Sequence, residues 1–440
     1  MLSAQRLAPL AVALLLVLAG CGAGPSDGTT TAPDETDAPT ATDTPASADT
    51  PTPGGTETPG TATPDEQSPD DGATSDGGET TAYGVQVRNG TLPFGANRTF
   101  TRVRELVGTD VEPPLVTVKN LSEVRQSLAG IDSPTNRALG YEPVSVNWSS
   151  PTGATPLNGT VYLHPGEGSP GAVERTLAHE FAHTIQFQAD MLPWLGRLPG
   201  QGPEVTRDLL QSRLSLIEGG AVYVADAYTD RYLDVRNNTA SVRSLYESGS
   251  PAYRSAIARY YFGSRYVRNR IDDAGNLSAV YRNYPRTTEG IIHGYTRGEE
   301  PKRSLAVETN ATAGNWTFAR TSTIGEMNTR VTLSTELSRD RAARTATGWG
   351  NDRLAVASYT RNRSRLGWVW TFRWDNATEA AEAMPALEDF ADARQSASDL
   401  EFRTVRISGE TTGLVFGDPA FVDAAAVEGT TANVTVQVGS

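Results

Sequence analysis

The sequence predicts a mixed α+β fold, and a few segments carry that prediction. Residues 159–164 combine β-branched and aromatic positions and stop at a Pro-Gly pair, which is typical of a strand, and a helical pattern follows. A longer helical pattern covers residues 204–228. Two strand-like runs then occupy residues 353–359 and 367–374. Together they predict a mostly helical region with a small N-terminal sheet and a smaller C-terminal α+β unit.

The first segment, residues 1–21, is typical of a signal peptide rather than of a folded element. Arg6 precedes the apolar run 7–18, which is too short to span a bilayer as a mature helix. The run ends in Leu-Ala-Gly-Cys, which resembles a lipoprotein lipobox, and Cys21 is the only cysteine, so no intrachain disulfide can form. We therefore expect lipidation of Cys21 and anchoring to the extracellular face of the membrane. An ordinary signal peptide with an incidental cysteine is the alternative.

Residues 22–82 consist almost wholly of Thr, Pro, Asp, Gly, Ser, Ala and Glu. This segment lacks the apolar residues that would offset the entropy of an ordered chain, so we expect it to be disordered. Its Ser, Thr and Pro content favours an O-glycosylated stalk, although a plain flexible linker has the same composition.

The composition becomes globular from residue 83, and the charge of the whole chain is −14. This acidic balance argues against nucleic acid as a partner. Lys119 and Lys302 are the only lysines, and an acidic, lysine-poor surface is what concentrated salt favours, so we infer a halophilic archaeal source. Many Asn-x-Ser/Thr sequons indicate N-glycosylation outside the cell. The candidate asparagines are Asn89, Asn97, Asn120, Asn147, Asn158, Asn237, Asn276, Asn310, Asn315, Asn362, Asn376 and Asn433.

The helix predicted after the first strand carries the sharpest motif, HEFAH at 179–183. Ser169 and Pro170 supply an N-cap and a first-turn proline, and the apolar pattern runs to about residue 188. Because His179 and His183 are one turn apart on the same face, they can bind one Zn²⁺ together. Glu180 between them is placed to act as a general base.

A catalytic zinc needs a third protein ligand and an open position for water. The metzincin continuation is absent, because Gln186 and Ala189 occupy the positions of its glycine and third histidine. The second helical pattern contains Glu218, followed by two glycines that cost about 1 kcal/mol each against alanine. We expect close approach to a neighbouring helix that carries a metal to offset that cost.

The pair of segments HEFAHTIQ and IEGGAVYVADAY resembles the gluzincin metallopeptidases, in which a glutamate of an EGxA-type helix follows HExxH. The resemblance implies a zincin-like fold for residues 83–345, with Zn²⁺ held by His179, His183 and Glu218 and with Glu180 as catalytic base. It also implies a peptide or protein substrate. The loop between the two helices is longer than in compact members, and Glu218 as a solvated helix residue is the alternative.

Three later stretches extend the resemblance to a group of gluzincin-like surface proteins that includes haloarchaeal lipoproteins. They are RYYFGSRYV at 259–267, PRTTEGIIH at 285–293 and TGWGNDR at 347–353. Gly290 and Gly294 depart from the group's pattern, whereas Glu289 and His293 keep it. His293 would stabilise the oxyanion of a tetrahedral intermediate if its loop covers the cleft. A structural histidine at the end of a helix is the alternative.

Residues 346–440 are predicted to form the C-terminal unit. Besides the two strands named above, we expect a helix over 377–393 that is broken or kinked near Pro385, and further strands at 401–408 and 412–416. Trp368, Trp370 and Trp374 share a strand face, which core packing explains better than a ligand platform.

These patterns predict an extracellular, membrane-anchored zinc peptidase that uses a metal-activated water. The alternative is a non-catalytic protein of gluzincin fold that binds the cell envelope, with a structural or vestigial metal site. The sequence does not predict an oligomeric state, a cleavage preference, or a choice between endopeptidase and exopeptidase action.

Overall fold

The computed structural model describes residues 84–121, 133–143, 149–193, 205–311, 315–319 and 321–439. Cys21 with its signal peptide, the stalk of residues 22–82 and the sequon at Asn147 lie outside the described residues. The fold is mixed α+β, as the sequence predicts. Among the described residues, no helix is long and apolar enough to cross a membrane.

The described helices lie between residues 96 and 424, and a 3₁₀ helix spans Ala274–Tyr281. They are α1 (Ala96–Val107), α2 (Pro134–Ala138), α3 (Pro170–Gln188), α4 (Arg207–Tyr232), α5 (Asn238–Ser248), α6 (Pro251–Arg268), α7 (Thr288–His293), α8 (Glu326–Leu333), α9 (Arg339–Thr347), α10 (Ala377–Ser396) and α11 (Pro419–Ala424).

The described strands fall into three sheets. They are β1 (Gln86–Arg88), β2 (Leu115–Val118), β3 (Thr152–Ala154), β4 (Val161–His164), β5 (Ala306–Ala311), β6 (Trp316–Phe318), β7 (Trp349–Tyr359), β8 (Asn362–Trp374), β9 (Glu401–Arg406), β10 (Thr411–Gly417), β11 (Ala425–Gly429) and β12 (Asn433–Val438).

The N-terminal sheet has the strand order β1-β2-β4-β3 and supports the helix with the HExxH motif. The first three of these strands run parallel, whereas β3 pairs antiparallel with β4 and forms the sheet edge. Val161 and Leu163 are buried, as the alternation of a half-covered strand requires. Phe100 of α1 meets Phe181 of α3 edge to face, with ring centroids 5.0 Å apart, so α1 and α3 share this part of the core.

Helices α4 and α6 cross at a contact between two glycines. A β-carbon at Gly219 would overlap the backbone of Gly263, and one at Gly263 would overlap the carbonyl of Ser215. We expected both glycines after Glu218 to allow a close approach of the helix that carries the metal ligands. Only one of them does so. Gly219 makes room for α6, whereas a β-carbon at Gly220 would meet the hydroxyl of Tyr281 and then the side-chain amide of Gln186 of α3.

The five-stranded sheet has the order β6-β7-β8-β10-β9 and confirms the predicted antiparallel strands. Trp368, Trp370 and Trp374 are buried, as predicted. Asp352, from the TGWGNDR stretch, accepts hydrogen bonds from the indoles of Trp349 and Trp370 and from the backbone N–H groups of residues 324 and 325. The break predicted near Pro385 is absent, because α10 runs through it as one helix.

The third sheet, of order β11-β12-β5, joins the last strand to β5 in parallel. Strands β5 and β6 thus belong to the sheets of the C-terminal part, although they precede the predicted start at residue 346. The main hydrophobic core is continuous across that position, since Phe181 of α3, Trp349 of β7 and Phe390 of α10 belong to one buried cluster. The described residues from 84 onward accordingly fall in a single compact unit.

Candidate metal centre

Helix α3 holds its two histidines in a rigid, buried position. Ser169 caps the helix by accepting from the N–H of Ala172 at 3.3 Å, and Pro170 occupies the first turn, as predicted. His179 and His183 are only 2% and 1% exposed. Their rings lie edge to face with centroids 4.8 Å apart, so both imidazoles point to one side of the helix.

Helix α4 brings Glu218 directly opposite the two imidazoles. Its Oε2 atom lies 3.3 Å from Nε2 of His183 and 3.6 Å from Nε2 of His179. Glu218 is fully buried, so the alternative of a solvated helix residue is excluded. These side chains form a group that could hold a metal ion, with one ligand atom from each residue all within 4.8 Å of one another.

The separations of the Glu218 carboxylate from the two imidazoles fit a tetrahedral cation. Metal–ligand bonds of about 2.0–2.2 Å at tetrahedral angles place neighbouring ligand atoms roughly 3.3 Å apart, which is close to both observed separations. Nε2 of His183 and both carboxylate oxygens of Glu218 are buried without a hydrogen-bond partner in the described part of the chain. Buried polar atoms rarely lack partners, so a cation between these three residues gives them one.

Gln186 orients His183 for a ligand role. Its Oε1 atom lies 2.7 Å from Nδ1 of His183, while its Nε2 donates to the carbonyl of Ile217 and to the hydroxyl of Tyr281. An acceptor at Nδ1 places the proton there and leaves the lone pair of Nε2 for a metal. The side chain also ties α3 to α4 one residue before Glu218.

Asn238 orients His179, as Gln186 orients His183. Its amide lies 3.3 Å from Nδ1 of His179, and its Oδ1 is buried without a partner. Rotation of the amide by 180° satisfies both groups, because Oδ1 then accepts from Nδ1–H and leaves Nε2 for the metal. Asp226 of α4 fixes Asn238 by accepting from its backbone N–H at 2.6 Å, and Arg268 pairs with Asp226 at 2.8 Å.

Glu180 lies beneath the edge strand β3 and is 1% exposed. The hydroxyl of Thr155, just after β3, donates to its Oε2 at 2.7 Å. A β-carbon at Gly153 would overlap the Glu180 side chain, so only glycine lets the strand approach this closely. Burial raises the pKa of Glu180 to about 7.

Charges within the cluster are strongly coupled. Burial disfavours charge on either imidazole and lowers the pKa of His179 to about 4. At His183, Glu218 and Glu180 outweigh burial, and the pKa rises to about 9. Burial alone would raise the pKa of Glu218, but the two imidazoles hold it at about 2. A carboxylate that stays ionised in a buried site is a suitable ligand for a divalent cation.

His293 lies in a different environment. Its Nε2 is 3.0 Å from Glu326, which also pairs with Arg330, and its ring stacks on Tyr295. None of its contacts within the described residues is with the metal cluster, so the oxyanion role has no contact to support it. The position at the last residue of α7 fits the alternative of a structural histidine at a helix end.

The sequon asparagines that the structure describes are all exposed or half-buried. Asn158, Asn362 and Asn376 each accept, through Oδ1, from the backbone N–H two residues further on, at 3.0, 3.1 and 2.9 Å. Their Nδ2 atoms, which would carry a glycan, therefore stay available.

The sequence did not single out the residues that orient the cluster, namely Asn238, Thr155 and Gln186. Thr155 is 25 residues from Glu180, and Asn238 is 59 residues from His179, so only the tertiary fold joins them. Gln186 had a local signal, because position i+3 from His183 lies on the same helix face as the two ligands.

A family described as a domain of unknown function, DUF8575, matches residues 316–440. The match begins at the first residue of β6, includes the whole five-stranded sheet, and does not include the metal cluster. No curated protein and no solved structure matches the chain.

Proposed function

We propose that the protein is a zinc metallopeptidase of gluzincin type, anchored by a lipid on Cys21 to the extracellular face of the membrane. The observation that carries the proposal is the buried cluster of His179, His183 and Glu218 with Glu180 beside it. Two imidazoles and a carboxylate form a zinc-binding set of the kind found in peptidases. A purely structural site would have no need of Glu180 as a base.

In this proposal the metal and Glu180 have separate roles in the reaction. Zinc, when bound, supplies a Lewis acid that lowers the pKa of a water molecule and polarises the carbonyl of the scissile bond. Glu180 takes a proton from the attacking water and passes it to the leaving amine as the C–N bond breaks. A pKa near 7 suits both transfers, and a hydrogen bond from Thr155 holds Oε2 of Glu180 in place.

The substrate would bind along β3. This strand is at the edge of the N-terminal sheet, where an extended peptide can add as a further strand through backbone hydrogen bonds. Because β3 and Thr155 lie directly over Glu180, a peptide paired with the strand would pass close to the base.

The burial of the cluster favours a second candidate function. Every ligand and the base are at most 2% exposed, so a substrate reaches them only after the cover moves. A cation held in this position without turnover would join α3 to α4 and stabilise a surface protein that binds the cell envelope.

The two candidate functions predict different results for one variant, Glu180→Gln. For the peptidase, the full chain binds about one zinc ion and cleaves fluorescein-labelled casein in molar potassium chloride. The variant keeps the zinc and loses activity by about 100- to 10,000-fold. The matched control is Glu167→Gln, an exposed position before α3, which keeps both. Full activity in Glu180→Gln, or zinc without hydrolysis in the wild type, overturns the peptidase.

Surface location and glycosylation follow from the same proposal. Cys21→Ala should release the chain from the membrane fraction into the medium, because one lipidated cysteine is the proposed anchor. The exposed sequons, with Nδ2 available at Asn158, Asn362 and Asn376, support glycosylation outside the cell.

A further inference from the structure

Four arginines converge on one pocket at the junction of α5, α6, α8 and α9. The pocket has a volume of about 210 Å³, and Arg254, Arg265, Arg330 and Arg339 line it together with Tyr246 and Tyr261. Such a concentration of positive charge is unexpected in a chain whose net charge is −14.

Two of the arginines have no carboxylate partner among the described residues. Arg254 donates to the hydroxyl of Ser334 at 2.8 Å and to the carbonyl of Gly249 at 2.9 Å, both neutral acceptors. Arg265 donates to the hydroxyl of Tyr261 and lies over its ring. Burial lowers the pKa of Arg254, Tyr246 raises it in part, and Arg339 nearby lowers it further.

The other charges around the pocket only partly offset this excess. Arg330 pairs with Glu326 at 2.5 Å, and Arg339 lies 3.9 Å from Asp340, at the limit of an ion pair. Glu247 also lines the pocket, but its carboxylate is paired with Arg243 at 2.9 Å. The pocket therefore keeps a local positive charge from Arg254 and Arg265.

Neutral donors complete the lining. Tyr246 and Tyr261 stack face to face with centroids 4.3 Å apart, and the guanidinium of Arg265 lies over the ring of Tyr261. Burial raises the pKa of Tyr246 to about 12, so its hydroxyl stays protonated and able to donate even beside the guanidinium groups. Ser334 also lines the pocket, but its hydroxyl donates to the carbonyl of Val331 at 2.7 Å and accepts from Arg254.

We propose that this pocket binds a tetrahedral oxyanion of the sulfate or phosphate type. Guanidinium groups bind such anions through paired N–H donors, and the two uncompensated arginines of α6 together supply more donors than one carboxylate accepts. The ligand is either the free ion or an ester of it on a sugar. The site is separate from the metal centre, because Tyr260 of α6 stacks on His179 whereas Tyr261 lines the pocket.

The test measures sulfate binding to the full chain by isothermal titration calorimetry at fixed potassium chloride concentration. The wild type should show saturable binding of about one sulfate, and Arg265→Gln, an exposed side chain, should weaken it about tenfold. Arg254→Gln should have an equal or larger effect. Arg363→Gln, exposed on β8 outside the pocket, makes the same change of net charge and should leave the affinity unchanged.

A second arm distinguishes the source of the anion. Glucose 6-sulfate that binds at least tenfold more tightly than sulfate indicates a sugar ester, whereas equal affinities indicate the free ion, and both support the site. Absence of saturable binding, or equal binding by the wild type and both pocket variants, overturns the proposal. The readout does not involve the metal or hydrolysis, so failure of the proposed peptidase would leave this test unaffected.

Discussion

The two histidines of the metal cluster are oriented by two different amide side chains. Gln186 lies one turn beyond His183 on α3, whereas Asn238 reaches His179 from the first residue of α5. Both act on Nδ1 and so leave Nε2 for a cation. In this three-ligand site each imidazole therefore has its own positioning partner.

Replacement of Gln186 should lower the affinity for zinc, and it should lower the free energy of unfolding by less. Gln186→Leu keeps the buried volume but removes the acceptor at His183, and we expect zinc affinity to fall about 10- to 100-fold. Competition with a chromophoric chelator measures this directly. The control is Tyr281→Phe, which removes one partner of Gln186 but leaves Oε1 on His183, and should change the affinity by less than about threefold. Equal losses in both variants would contradict the positioning role.

Glu289 should make stability depend on pH. It is 3% exposed, its Oε2 has no partner within the described residues, and burial together with Glu326 raises its pKa to about 9. The folded state therefore keeps a proton that the unfolded chain loses near pH 4.5, so this residue lowers stability progressively as pH rises from about 4.5 to about 9.

Glu289→Gln should remove that penalty. At pH 8 the variant should be more stable to denaturant by more than about 1 kcal/mol, the equivalent of less than one pKa unit. At pH 4, where the carboxyl is protonated in both states, the two proteins should unfold at the same denaturant concentration. A variant that is less stable at pH 8 would show that Glu289 is ionised and paired in the fold.

Local rules predicted part of the site and tertiary contacts determined the rest. The spacing of His179 and His183 follows from the helical repeat, so one sequence segment was enough to pair them. Glu218 entered through the resemblance to gluzincins, because no local rule brings α4 to α3. Thr155 and Asn238 lie on other elements, and only packing brings their side chains to the cluster.

At the scale of elements, caps determined which helix boundaries were predictable. The predicted helix from Pro170 to residue 188 matches α3, whose Ser169 cap is local. Helix α4 begins at Arg207 rather than near 204, because the side chain of Thr206 caps it. Helix α8 begins at Glu326, where Asp352, distant in sequence, binds the backbone N–H groups just before it.

Strand pairing was predictable only between neighbours. The hairpin of β7 and β8 follows from adjacent alternating runs, and its register places Leu354 opposite Trp370. The parallel pair of β5 and β12 joins segments more than a hundred residues apart, and no sequence pattern marks that partnership. Because β5 pairs with the last strand, the C-terminal sheets begin earlier in the chain than composition suggested.

The glycine crossing of α4 and α6 should tolerate no side chain. Alanine at position 219 gains about 1 kcal/mol of helix propensity, but its β-carbon would overlap the backbone of Gly263. Backbone cannot move aside as a flexible side chain can, so we expect Gly219→Ala to lower the free energy of unfolding by about 2 kcal/mol. Chemical denaturation monitored by circular dichroism provides the measurement.

A suitable control for the crossing is Gly409→Ala. This glycine lies in a turn where a β-carbon would meet no atom within 4 Å, so stability should change by less than about 0.5 kcal/mol. Because residue 219 follows Glu218 directly, Gly219→Ala should also reduce zinc affinity. An unchanged free energy of unfolding in Gly219→Ala would mean that α4 and α6 can move apart without an energetic cost, which would contradict this prediction.

At the scale of the whole molecule, a shared core connects the metal-bearing helices to the C-terminal sheets. Trp368 donates to the hydroxyl of Thr135 in α2, and Arg394 of α10 donates to the carbonyl of Ala138 in the same helix. These contacts join segments more than 200 residues apart. Composition predicted the amount of core but not this connection, because a change of pattern along the sequence does not show which surfaces pack together.

The shared core predicts that the described fold unfolds as one unit and that zinc stabilises all of it. Five of the seven tryptophans lie between Trp316 and Trp374, so fluorescence reports on the five-stranded sheet, whereas far-ultraviolet circular dichroism reports mainly on the helices. The two denaturation curves should coincide. Zinc at a free concentration 1,000 times its Kd should raise the free energy of unfolding by about 4 kcal/mol in both. In His179→Ala, which lacks a ligand, zinc should shift neither curve. If zinc shifted only the circular dichroism curve, the sheet would be unfolding independently of the metal-bearing helices, and the core would not couple the two halves of the molecule.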